Sequence, residues 1–138
     1  MIARLLMATS AAIILTLGAL HLVYTFRGNK LLPRDVGLIE RMAQVSPVIS
    51  DQTTMWRAWI GFNASHSMGA LLFGLIFGYL AISHEAVLFR SPFLLAVGLA
   101  MLGGFFVLGK RYWFSVPFTG ICIALACYLL SLLLAALR

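Results

Sequence analysis

Four long apolar stretches alternate with short polar segments along the chain, over residues 5–26, 57–83, 92–109 and 116–137. Each approaches or exceeds the roughly 20 residues with which a helix crosses about 30 Å of hydrocarbon, so each is expected to be a transmembrane helix. The third is the shortest, about 27 Å at ~1.5 Å per residue, and is expected to stand nearly upright. The first has a basic residue, Arg4, ahead of it like a signal peptide, but His21 to Arg27 offers no small-x-small cleavage site, so it is expected to stay as a helix. Short loops around 83–91 and 110–115 force antiparallel neighbours. With no repeat and no second apolar or polar block, the expected fold is all-α, a single transmembrane domain over 1–138 built as an integral membrane four-helix bundle.

The segment from Gly28 to Thr54 is the one extended loop. Within it Pro33 can open a helix, and Val36, Leu38, Ile39, Met42 and Val45 fall on one helical face opposite Arg34, Glu40, Arg41 and Gln44 until Pro47 ends the pattern. That predicts a short interfacial helix between the first and second spans, lying on the membrane. Ser50, Asp51, Thr53 and Thr54 then offer several N-caps for the second span.

Composition excludes the alternatives to a membrane protein. Of 138 residues 62% are apolar and 10% charged, too little polar material to cover a water-soluble surface and too much apolar material for disorder. The net charge of +6 would point to nucleic acid in a soluble chain, but here the basic residues flank the spans and act as topology signals, so no nucleic-acid partner is expected. With four spans, Arg4, Arg90 and Arg138 share one side, and Arg27, Lys30, Arg34, Arg41, Arg57, Lys110 and Arg111 the other. Three against seven predicts cytoplasmic first and third loops in a bacterial inner membrane, with both termini outside.

The second span carries the candidate chemistry. At about 100° per residue Trp59 and His66 lie within about 20° of each other and Asn63 about 60° away, with Arg57 on the opposite side. His21 lies six residues before Arg27, and Asn63 and His66 six and nine after Arg57, so on antiparallel helices the three sit about 9 to 13.5 Å inside the basic boundary. They are expected to converge inside the bundle, since an amide or imidazole facing lipid lacks partners. Two readings stay open. One is a pocket for a lipophilic small molecule, bound by His21, Asn63 and His66 with Tyr24, Thr25, Trp59, Ser65 and Ser67 as further contacts. The other is hydrogen bonding between helices, as in a non-catalytic accessory subunit, a homo-oligomer or a member of a larger membrane complex.

Other chemistry is thin. No Asp or Glu lies within a span, Cys122 and Cys127 point about 140° apart on one helix, and no phosphate-loop or nucleophile motif is present. Two imidazoles at one depth permit bis-histidine ligation of haem b, but sequential helices about 8–10 Å apart leave little room for a macrocycle, so no cofactor is expected. A metal site lacks a third ligand. His66, Ala70, Gly74 and Gly78 form a small-residue ridge at steps of four, expected to be a helix–helix seam that Gly98, Gly103, Gly104, Gly120 or Ala124 could answer. The pattern of Trp56, Trp59, Asn63, Ser65, His66 and Ser67, with Gly18, His21 and the Pro33-Arg34-Asp35 turn, resembles a family of small four-span bacterial membrane proteins without an assigned activity. The likeness implies a bacterial four-helix membrane protein and brings no reaction.

Overall fold

The structure, a computed structural model, describes residues 1–137; Arg138, counted above among the basic residues, lies outside them. Six helices and no strand occur among the described residues. They are α1 (Ile2–Phe26), α2 (Val36–Gln44), α3 (Met55–Ser83), α4 (Glu85–Arg90), α5 (Pro92–Tyr112) and α6 (Ser115–Ala136). Of these α1, α3, α5 and α6 are long and apolar enough to cross a membrane.

The caps decide where each helix begins and ends. At the start of α3, Thr54 is the cap among the four candidates, its Oγ1 accepting from the Arg57 N–H at 3.3 Å. The first loop becomes helical at Val36, three residues past Pro33, because the Asp35 carboxylate accepts from the Gly37 N–H at 2.9 Å and sets the first turn. Ser91 caps α5, with Pro92 at its first position. This helix runs past the expected end at residue 109 through Tyr112, with Lys110 and Arg111 in its last turn where cations suit the helix dipole. Its 21 residues then reach about 31 Å, close to the thickness of the hydrocarbon layer. The loop after α3 holds the extra element α4, whose Leu88 is fully buried.

The chain divides into two compact units, with the divisions falling after Leu17 in α1 and after Gly69 in α3. One comprises Met1–Leu17 with the described residues from Ala70 onward, and it contains the hydrophobic core: Met7, Ile14, Phe73, Phe77, Leu102, Phe105, Ile121 and Tyr128 among others. Tyr128 is fully buried, donates to the Leu95 carbonyl at 2.8 Å and packs edge-on to Phe77. Ser131 Oγ donates to the Ala3 carbonyl at 2.7 Å, joining α6 to the first turn of α1. Gly74 of the small-residue ridge meets Ala11 and Leu15 of α1. The ridge is thus answered by α1, while Gly98 faces Phe77 and Tyr128, Gly120 faces Leu17, and Gly103 and Gly104 face open space.

The second unit, Gly18–Gly69, holds the end of α1, the whole first loop with α2, and the start of α3. Only Gly18, Thr25 and Ser67 are buried in it. Every aromatic or aliphatic side chain of this unit keeps some exposure.

Candidate functional site

Three of the expected site residues meet within this second unit. His21 Nε2 lies 3.0 Å from Asn63 Oδ1, and the rings of His21 and His66 stand edge to face with centroids 5.3 Å apart. All three side chains are half-buried. The bond between α1 and α3 shows His21 and Asn63 at one level, as their spacing from Arg27 and Arg57 predicts.

The direction of that bond follows from its neighbour. Asn63 Nδ2 donates to the Trp59 carbonyl at 2.8 Å, one turn back in α3. A carbonyl can only accept, so the amide cannot be flipped without setting oxygen against oxygen. Oδ1 therefore faces His21, and since it too can only accept, the His21 Nε2 must carry the hydrogen. Neutral His21 is thereby held as the Nε2–H tautomer, which leaves Nδ1 as the lone-pair nitrogen of the ring.

The hydroxyls near the cluster are spent on their own helices. Ser67 Oγ donates to the Asn63 carbonyl at 2.9 Å and Thr25 Oγ1 to the His21 carbonyl at 2.8 Å, both four residues back. Such bonds let a polar side chain sit in an apolar setting without another partner. Both side chains are buried, directly behind the residues whose carbonyls they cap.

The remaining expected contacts lie away from the three. Ser65 is exposed and bonds the Phe62 carbonyl at 3.0 Å. Tyr24 is exposed, with the Lys30 ammonium 5.8 Å from its ring centroid. Trp59 sends its indole N–H to the Leu31 carbonyl at 3.3 Å and leaves 42% of its surface exposed. Its main contribution to the cluster is the backbone carbonyl that orients Asn63.

Leu31 was not among the sequence candidates, because its role is a backbone one. Gly28, two residues past the end of α1, adopts φ +82, a left-handed conformation that suits glycine after a helix. The chain turns there and returns Leu31 to α3. The Phe-Arg-Gly sequence closing an apolar run is the signal from which this turn is readable.

Among the described residues no three His, Cys, Asp or Glu side chains are grouped so as to hold a metal ion. Cys122 and Cys127 are free thiols on α6. No protein-family model, no curated protein and no solved structure matches the chain.

Proposed function

We propose that the chain is a small polytopic membrane protein, a bundle of four spanning helices in a bacterial inner membrane, that holds the polar head of a lipophilic molecule against His21, Asn63 and His66. In this reading α2 lies along the membrane surface, the loops carrying Lys30 and Lys110 are cytoplasmic and both termini are outside. The observation that carries it is the half-buried His21–Asn63–His66 cluster, set on two helices long and apolar enough to cross a membrane. Polar groups at hydrocarbon level need polar partners, and Asn63 engages both ends of its amide, with His21 and with the Trp59 carbonyl. With the Nε2 of His21 acting as donor, its Nδ1 accepts, so the matching head is a hydrogen-bond donor such as a hydroxyl. Binding alone accounts for the arrangement, with no reaction required.

A second reading, a non-catalytic accessory subunit or homo-oligomer in which the cluster only fastens helices, draws support from the same His21–Asn63 bond, which already joins α1 to α3. Mass spectrometry of lipids and metabolites retained by the purified protein separates the two when read beside thermal stability. A binding site requires that His21→Leu and His66→Leu lose a molecule held by the wild type while remaining folded. Retention equal to wild type in well-folded variants refutes the binding site and leaves the fastening.

A further inference from the structure

The loop between α2 and α3 is a closed and braced structure. Its base is the bond from the Met55 N–H to the Val45 carbonyl at 2.9 Å, so the stretch between these two residues leaves and returns to the first residue of α3. Inside it the Ser50 N–H donates to the Pro47 carbonyl at 3.2 Å, closing a turn with Val48 and Ile49 at its two corners. Ser50 Oγ in turn accepts from the Gln52 N–H at 3.2 Å and stiffens the descending limb.

The occupants of those corners are unusual. Turn corners facing water are ordinarily filled by Gly, Pro, Asn, Asp or Ser, which favour the turn backbone and are well hydrated. Here two β-branched aliphatics stand there, Val48 at 108% and Ile49 at 93% exposure, the fullest exposure of any large apolar side chains in the molecule's described residues. Neither packs on anything in the chain, so internal stability does not explain them.

Three observations say what covers this tip. The first is reach: the tip lies three or four residues from Val45, so it stands no more than about 10–14 Å from that residue, which is itself hydrogen-bonded to the first residue of α3. The second is the level of that start, since α3 at 29 residues is about 43 Å long against about 30 Å of hydrocarbon, and its first turn carries Trp56 and Arg57, residues of the headgroup boundary. The third is charge. From Arg27 to Arg57 the unit carries five exposed basic residues, Arg27, Lys30, Arg34, Arg41 and Arg57, against Asp35, Glu40 and Asp51. The Asp35 carboxylate is turned onto the N-terminus of α2. The apolar side of α2 is open as well, with Val36 and Leu38 exposed.

We propose that the Val48–Ile49 turn is a membrane-inserting tip: it dips into the acyl boundary of the bilayer that α3 crosses, while the surrounding arginines and lysine meet anionic lipid headgroups. The proposal rests on α3 spanning that bilayer, and goes beyond the His21–Asn63–His66 reading, on which it does not depend. The loop then acts as a second anchor that fixes how the Gly18–Gly69 unit sits on the lipid surface.

The test uses the full chain with Cys122 and Cys127 replaced by Ala, reconstituted in vesicles of phosphatidylcholine and phosphatidylglycerol in equal parts. An environment-sensitive thiol fluorophore is placed at Ile49→Cys in one sample and at Leu72→Cys, an exposed position within α3, in another. The tip proposal requires that the Ile49 label be quenched by lipids brominated on their acyl chains and shielded from aqueous iodide, with the shielding reduced at least twofold when phosphatidylglycerol is left out. An Ile49 label that brominated lipids leave unquenched overturns the tip, whether iodide reaches it, as for a tip in water, or does not, as for a tip covered by protein. Quenching that is equal without phosphatidylglycerol overturns the role given to anionic headgroups. If the Leu72 label too ignores brominated lipid, the spanning of α3 itself is what fails.

Discussion

Gly74→Ala adds one methyl group, and the seam between α1 and α3 determines its effect. A Cβ built on Gly74 would lie 2.5 Å from Leu15 Cβ, 2.9 Å from Leu15 Cα and 2.9 Å from the Ala11 carbonyl oxygen. Carbon atoms in contact sit about 3.5–4.0 Å apart, so the overlap is about an ångström. None of the three atoms can rotate away, because each is backbone or rigidly fixed to it, and the helices themselves must part. Overpacking of this kind costs about 1–3 kcal/mol, or roughly 5- to 150-fold in the folding equilibrium. Gly78→Ala is the matched control, one turn along the same ridge. Its added methyl would meet only Ala11 Cβ at 3.6 Å, an ordinary contact, so stability should hold or rise slightly. The assay is unfolding of each variant by SDS in mixed micelles, followed by far-ultraviolet circular dichroism. Equal stability of the two alanine variants would show that the close approach of α1 to Gly74 is absent, and with it the small-residue seam; Gly74→Leu should fall further in the same direction as Gly74→Ala.

Ser131→Ala removes the bond to the Ala3 carbonyl and should cost about 0.6 kcal/mol, at most about 1.7, in the same assay. Ser10→Ala should be neutral or stabilising, because the buried Ser10 hydroxyl has no hydrogen-bond partner among the described residues and its removal forfeits nothing. Asp35→Ala should loosen α2 by about 0.5–2 kcal/mol, read as faster amide hydrogen exchange in α2 with exchange in α3 unchanged. Single cysteines at Lys30 and Lys110 should react with membrane-impermeant maleimide only after the cell is opened, and labelling of intact cells would reverse the topology.

The spans were legible because their signal is bulk: twenty or so apolar residues have few alternatives to a helix across a bilayer. Their ends were less so, since Thr54 rather than Ser50, Asp51 or Thr53 caps α3, and that choice depends on where the loop closes on Val45. The six residues of α4 carry too short a pattern to announce a helix, and Leu88 reveals its purpose only once buried. Meeting of His21 with Asn63 followed from helix geometry and depth alone. By contrast, the side of Trp59 did not fix its partner: the indole shares a helical face with His66, yet its N–H reaches the Leu31 carbonyl because Gly28 turns the chain back. The ridge through Gly74 was visible as a ridge, but small residues say that something comes close without saying which helix.

The two units are held by different forces, and this bears on the binding reading proposed above. Between helices in lipid there is little hydrophobic drive, because hydrocarbon outside is as apolar as the side chains inside, so close packing and hydrogen bonds must do the work. The unit containing Phe73, Phe77, Phe105 and Tyr128 relies on packing, and inserting anything among fully buried aromatics and leucines means losing many contacts at once. The Gly18–Gly69 unit buries only a glycine, a threonine and a serine, and is instead tied at discrete polar points: His21 to Asn63, Trp59 to Leu31, Met55 to Val45. One such interhelical bond is worth about 0.6 kcal/mol on average, close to thermal energy. A hydroxyl that offers Asn63 or His21 an equivalent bond can exchange with the existing one at almost no net cost, and without disturbing the packed unit's core. On the binding reading proposed above, the same weakness that makes the cluster a modest fastener is what lets a polar head take the place of a bond within the chain.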